Sequence, residues 1–278
     1  MPDSAAGKVP IIACVRSAWV FLARNIRQLA PAAAVCAVIS QIGAAVSLFA
    51  DPSGQTTSSS VLTLVPAIVA GLMFSAAVLR KAIRNEFVAP VGLTLGKDES
   101  RLLAVGFSIT LVAIPLVFVL SIVVLGPILS RIASTPEALE ALAQDPEAMR
   151  TAIEEALGPG GLLALEIGGI LLLCLALGLL AFMQAATTGE KRVMVFQALR
   201  WTGGNFLRVL AAIILTVAPT VILTTIIGLA VSPAATDVTT YLLVTTLIAF
   251  VGNIFAIPIS ALGAVLYKGL RPTDFGAT

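Results

Sequence analysis

The chain has 278 residues, of which 58% are hydrophobic and only 12% are charged, and its formal net charge is +2. A soluble domain keeps about a quarter of its residues charged to cover its surface, so this composition is typical of a membrane protein. The sequence contains no histidine. This excludes His-ligated metal sites, Ser-His and Cys-His dyads and imidazole proton relays.

The segment before the first long apolar run is amphipathic. Arg16, Arg24 and Arg27 fall within about 80° of one another on a helical wheel, with apolar residues interleaved between them. We therefore expect residues 1–27 to form a cytoplasmic segment whose helix lies in the headgroup layer of the membrane. Similar semi-apolar stretches at 82–97 and 190–204 are predicted to form further amphipathic interfacial helices on the cytoplasmic side.

Charged residues divide the rest of the sequence into long apolar segments. The uncharged intervals 28–50, 52–79, 102–130, 209–236 and 238–267 each have at least 23 residues, whereas a helix needs only about 20 to cross a hydrocarbon core of about 30 Å. A sixth apolar segment is also long enough to cross the membrane, although it contains Glu166. We predict an all-α integral membrane protein with six transmembrane helices, paired as three hairpins. The predicted spans are 29–50, 61–80, 102–130, 161–187, 208–231 and 239–267.

One long hydrophilic segment, 131–160, interrupts the apolar pattern after the third span. Asp145-Pro146 is a cap-then-proline helix start, and the segment is predicted to contain two short helices, 136–144 and 146–157, ended by Gly158–Gly161. This acidic helical loop is expected on the exported side. It forms either an amphipathic lid on the helix bundle or a docking site for an exported partner or a cation.

The positions of the basic residues predict the orientation. With the N-terminus in the cytoplasm, 15 of the 17 Lys and Arg residues lie in cytoplasmic segments, and only Arg131 and Arg150 are exported. The positive-inside rule then predicts that both termini are cytoplasmic. Because these residues lie at helix ends, we expect anionic phospholipid headgroups as their partners, and no nucleic acid. The expected headgroup contacts are Arg16, Arg24, Arg27, Lys81, Arg84, Arg101, Arg192, Arg200, Arg208, Lys268 and Arg271.

Short motifs recur at the helix ends. Arg-Xaa-Leu-Ala begins at Arg27, Arg101 and Arg208, each time opening an odd-numbered span, and residues 77–84 and 264–271 share five of eight positions. The pattern is consistent with duplication of a helical hairpin, and equally with chance similarity between Ala- and Leu-rich helix ends. Internal repeats are common in transporters, but they are also a general way to build a bundle.

The segments 198–208 (ALRWTGGNFLR) and 266–272 (LYKGLRP), together with the amphipathic basic N-terminus, resemble a bacterial six-span family. That family is the membrane domain attached to some glycerophosphodiester phosphodiesterases, with its stand-alone relatives that lack the catalytic domain. The resemblance implies a multi-pass protein of the bacterial inner (plasma) membrane, with residues 1–278 as a single six-helix domain. It does not imply phosphodiesterase activity, because that chemistry belongs to a soluble catalytic domain.

Three polar side chains inside the predicted spans form a candidate intramembrane polar site. A charge at the bilayer centre costs about 2.5 to 3.5 kcal/mol, so Glu166 either binds a proton, a cation or a lipid amine, or reaches water from the outer boundary. Gln41 and Asn253 are typical either of hydrogen bonds between helices or of a substrate site.

The sequence predicts a non-catalytic membrane protein that binds lipid or other membrane proteins, with no cofactor and no metal. Besides having no histidine, the chain has no Asp within a span, so it lacks the residue combinations of intramembrane proteases. The alternative is a small transporter or channel with a polar cavity near Gln41, Glu166 and Asn253.

Overall fold

The structure is a computed structural model that describes residues 8–50, 59–88, 90–132, 135, 140, 144–158, 160–231 and 238–272. Across these ranges the regular secondary structure is helical and contains no strand, which confirms the predicted all-α class. The helices whose bounds lie within the described ranges are α1 (Ile11–Ala50), α2 (Ser59–Arg84), α3 (Lys97–Ile132), α4 (Pro146–Leu157), α5 (Gly161–Glu190), α6 (Phe196–Arg200), α7 (Phe206–Val231) and α8 (Val238–Leu270).

Five of these helices are long and apolar enough to cross a membrane, so the chain is a multi-pass membrane protein. The spanning runs in α1, α2, α5, α7 and α8 are Ile11–Gly43, Leu64–Arg84, Leu163–Glu190, Phe206–Ile227 and Thr239–Leu270. The remaining predicted span, 102–130, falls inside the 36-residue helix α3. That α3 crosses the membrane as a sixth span stays a prediction.

The N-terminal segment differs from the prediction of a separate interfacial helix. Helix α1 runs for 40 residues without a break, so residues 11–27 are its first turns. Asn25 donates its side-chain N–H to the Phe21 carbonyl at 2.9 Å, one turn back in the same helix. The helix continues because its buried face keeps helical spacing past residue 27. This face contains Cys14, Ala18, Leu22 and Leu29.

The two other predicted interfacial helices also differ from the structure. Asn85 follows α2 with a φ of 56°, and Lys191 follows α5 with a φ of 55°. This left-handed conformation stops a helix. The described residues between α2 and α3 are therefore irregular, and the stretch 190–204 contains only the five-residue helix α6 after the last turn of α5.

The described residues belong to two compact units, one formed by 1–106 with 174–278 and the other by 107–173. In the first unit, α1 packs against α2 and α8, and α7 packs against α8 and α1. The small residues Ala32, Ala33 and Cys36 of α1 are buried in a core that α2 and α8 complete. Small side chains allow helix backbones to approach closely in membranes, where packing holds helices together.

In the second unit, α4 has the bounds predicted from the sequence. The Asp145 side chain accepts the backbone N–H groups of Glu147 and Ala148, both at 3.1 Å, and caps the helix. Gly158 ends the helix with a φ of 73°. The other predicted exported helix, 136–144, lies outside the described residues except for two positions.

Candidate functional site at the basic helix ends

The connection between α2 and α3 is organised around a buried ion pair. Arg80 Nη1 lies 2.6 Å from Glu99 Oε1, and the two residues are only 6% and 4% exposed. Arg80 also donates to the Gly92 carbonyl at 3.2 Å. Glu99 accepts hydrogen bonds from Thr94 Oγ1 at 2.8 Å and from the Gly96 N–H at 2.9 Å. The irregular segment is thus folded back over the last turn of α2.

Glu99 also fixes the start of α3. It is the third residue of the helix, and its contact with the Gly96 N–H is one half of a capping box. Burial by itself raises the pKa of this carboxyl, but the hydrogen bonds from Arg80, the backbone and Thr94 outweigh it, so the pKa lies below its usual value. Glu99 is therefore ionised at neutral pH and pairs with Arg80 as a full charge.

A second ion cluster surrounds Asp98, in the first turn of α3. Its carboxylate accepts a hydrogen bond from Arg84 Nη2 and lies 3.2 Å from Arg101 Nη1 and 3.8 Å from Arg80 Nη1. Arg84 Nε lies 3.2 Å from a carboxylate oxygen of Glu86. Two of the predicted headgroup contacts, Arg84 and Arg101, are therefore held by carboxylates of their own chain.

Polar contacts also join the ends of α2, α5 and α8. Glu190 accepts a hydrogen bond from the Tyr267 hydroxyl at 2.7 Å, and Arg271 Nε lies 2.6 Å from the same carboxylate oxygen. Lys268 donates to the Ala82 carbonyl at 2.9 Å. Two more predicted headgroup contacts are thus engaged within the protein, and three helix ends lie side by side.

The segment before α1 is attached to the start of α7. The Val9 N–H donates to the Asn205 side-chain oxygen at 3.0 Å, and Arg208 Nη1 donates to the Val9 carbonyl at 3.3 Å. Both Val9 and Asn205 are buried. Arg208, another predicted headgroup contact, therefore serves to hold the N-terminal backbone.

The arginines of the first half of α1 are in a different situation. Arg16, Arg24 and Arg27 are exposed, and within the part of the chain that the structure describes they have no ion pair and no hydrogen-bond partner. We call these three residues the α1 basic stripe. Arg200 is likewise exposed and Lys81 partly exposed, whereas Arg192 is exposed but has a partner in the chain.

The three residues of the predicted intramembrane polar site have separate surroundings. Asn253 Nδ2 donates to the Ala33 carbonyl at 3.1 Å and so joins α8 to α1. Gln41 is half-buried about two turns further along α1, and among the described side chains no hydrogen bond connects it to Asn253. Glu166 belongs to α5 in the second unit, and its side chain lies outside the described residues.

An apolar groove of about 330 Å³ lies between α1 and α8, beginning next to the Asn253–Ala33 hydrogen bond. On the α1 side it is lined by Ala34 and Val38. Thr246 of α8 is its one hydroxyl-bearing lining residue, and that hydroxyl donates to the Leu242 carbonyl at 2.6 Å within its own helix. The groove therefore presents an apolar surface.

The sequence interpretation missed the roles of Arg80 and Glu99. The Gly96-Xaa-Xaa-Glu99 spacing is a helix-start signal that could have identified the capping carboxylate. The pairing with Arg80 has no comparable signal, because 19 residues and an irregular segment separate the two charges.

In comparisons with family models, curated proteins and solved structures, no match to this chain is found.

Proposed function

We propose that this protein is a non-catalytic six-span module of the bacterial inner membrane whose cytoplasmic face binds anionic phospholipid headgroups. The observation that supports this function is the contrast among its basic residues. Arg84, Arg101, Arg208, Lys268 and Arg271 are engaged by groups of the same chain. The α1 basic stripe is exposed and free of such contacts in the described residues.

A free basic residue near an anionic leaflet contributes about 1 kcal/mol of attraction. Three of them on one side of α1, ahead of the uncharged residues 28–50 of the same helix, form a surface suited to phosphate groups at the membrane boundary. The proposal treats α3 as a membrane span, for six spans in all, and both termini as cytoplasmic, in keeping with the 15 of 17 basic residues on that side. The resemblance to the membrane domains of glycerophosphodiester phosphodiesterases is part of the same proposal.

The transporter alternative has less support. Asn253, one of its three candidate residues, is engaged in a hydrogen bond between α1 and α8. The groove beside this bond is apolar, which suits hydrocarbon better than a polar solute.

Replacing Arg16, Arg24 and Arg27 together with Gln is expected to weaken binding of phosphatidylglycerol by about 100-fold at low salt, since three attractions of about 1 kcal/mol are lost. Binding is measured by competition with a fluorescent phosphatidylglycerol in mild detergent. The matched control replaces Arg101, Lys268 and Arg271 with Gln, which removes the same charge from residues that bind their own chain. An equal loss of phosphatidylglycerol binding in both variants would contradict the proposed function. So would a wild-type protein that binds phosphatidylglycerol no more tightly than phosphatidylcholine.

The proposed orientation has its own test. In a variant without Cys14, Cys36 and Cys174, a Glu154→Cys substitution in α4 is expected to react with an impermeant maleimide added to the periplasmic side. A Gln197→Cys substitution in α6 is expected to react only after the membrane is permeabilised. Both positions are exposed, so the accessibility of the side chain does not limit labelling. The reverse labelling pattern would overturn the orientation.

A further inference from the structure

The apolar groove between α1 and α8 continues the α1 basic stripe along one face of the helix. At 100° per residue, Arg27, Ala34 and Val38 lie within about 40° of one another, and Arg16 and Arg24 lie within about 60° of Arg27. All five residues are exposed. The same side of α1 is therefore basic in its first half and lines an apolar groove in its second half.

The spacing along the helix matches the dimensions of one phospholipid. With a rise of 1.5 Å per residue, Ala34 lies about 10 Å and Val38 about 16 Å beyond Arg27. One leaflet of hydrocarbon is about 15 Å thick, half of the about 30 Å core. A lipid whose phosphate pairs with Arg27 therefore brings its acyl chain to the depth of the groove.

The walls of the groove suit a hydrocarbon chain. Ala37 is fully buried, and the small side chains of Ala34 and Ala37 leave the space that the groove occupies. Leu243 and Leu247 of α8 form the opposite rim and are 68% and 52% exposed. The hydrogen bond from Asn253 to α1 sets the antiparallel register that brings this part of α8 beside the groove-lining residues of α1.

We propose that the groove between α1 and α8 binds an acyl chain of the anionic phospholipid whose phosphate is held by Arg27, the last residue of the α1 basic stripe. This inference rests on the proposed headgroup binding and adds a defined seat for the lipid tail. The occupant is a phospholipid because the apolar groove and the free arginines follow each other on one helix face at the spacing of tail and phosphate.

The test fills the groove without changing the charges. Ala34→Phe places a large side chain in it, and Val35→Phe places the same side chain on the neighbouring exposed position, which does not line it. The probes are long-chain and short-chain phosphatidylglycerol. Ala34→Phe is expected to weaken binding of the long-chain lipid by about tenfold. This is the effect of excluding a few methylene groups of the acyl chain from an apolar site. Binding of the short-chain lipid should stay unchanged, and Val35→Phe should match the wild type for both.

A second variant, Leu247→Ala, removes a rim side chain that is half exposed and is therefore tolerated by the fold. It is expected to weaken long-chain binding in the same direction. If neither variant changes long-chain binding while loss of the α1 basic stripe does, the groove proposal is overturned and the headgroup function stands. If the wild type does not prefer phosphatidylglycerol, the headgroup function itself fails. A change of oligomeric state in Ala34→Phe, with lipid binding intact, would make the groove a contact with a second copy and would also overturn the proposal.

Discussion

An Arg80→Met variant is expected to lose about 3 to 5 kcal/mol of unfolding free energy, the usual cost of removing one partner from a buried ion pair. Glu99 would remain buried with its negative charge unmatched, since only 4% of it is exposed. The Gly92 carbonyl would also lose the donor that holds the irregular segment against α2. The effect is large because the guanidinium connects two helices and the chain between them.

The measurement is denaturant or thermal unfolding in mild detergent, followed by tryptophan fluorescence. The double variant Arg80→Met with Glu99→Leu is expected to recover much of the loss, because a buried pair replaced by apolar residues of similar size is often tolerated. The exposed control Arg16→Met should change stability by no more than about 0.5 kcal/mol. If Arg80→Met is no less stable than Arg16→Met, the ion pair does not hold this connection together.

The positions of the spans could be predicted from the sequence because hydropathy and length are local properties. The predicted spans 61–80 and 208–231 lie within α2 and α7, and both helices extend a few residues beyond them. The N-terminal segment was expected to form an interfacial helix ahead of the span 29–50, whereas the structure has one helix from Ile11 to Ala50. The buried side of α1 keeps its spacing from Cys14 through Leu29, and this continuity determines the helix.

The partners of the charged residues could not be predicted in the same way. The positive-inside rule counts Lys and Arg by side of the membrane, so it assigns Arg16 and Arg84 to the same class. Their surroundings differ because an irregular segment brings Glu86 and Asp98 to the end of α2. The folding of that segment depends on tertiary contacts at single atoms, which leave no periodic signal in the sequence.

The second large effect is expected at the contact between α5 and α8. A Cβ atom at Gly263 would lie 2.4 Å from the Ala181 carbonyl oxygen and 2.6 Å from its carbon, closer than non-bonded atoms approach. The obstacle is backbone, so it cannot move aside by rotation of a side chain. Gly263→Leu is therefore expected to lose about 1 to 3 kcal/mol or more, as overpacked sites do. Thermal unfolding measures this loss.

Gly252→Leu is the matched control on the same helix, because no atom beyond the neighbouring helix backbone lies within 4 Å of a Cβ added there. Leucine is the better helix former by up to about 1 kcal/mol, so the control is expected to be neutral or more stable. Equal destabilisation of both variants would show that the loss is not specific to the α5 contact.

Two contacts show the relative direction of α5 and α8. Ala181 lies against Gly263, and Glu190 forms an ion pair with Arg271, so the residue numbers increase in the same direction along the two helices. The described ends of α5 and α8 therefore run parallel, and the missing side chain at Gly263 is what allows them to touch.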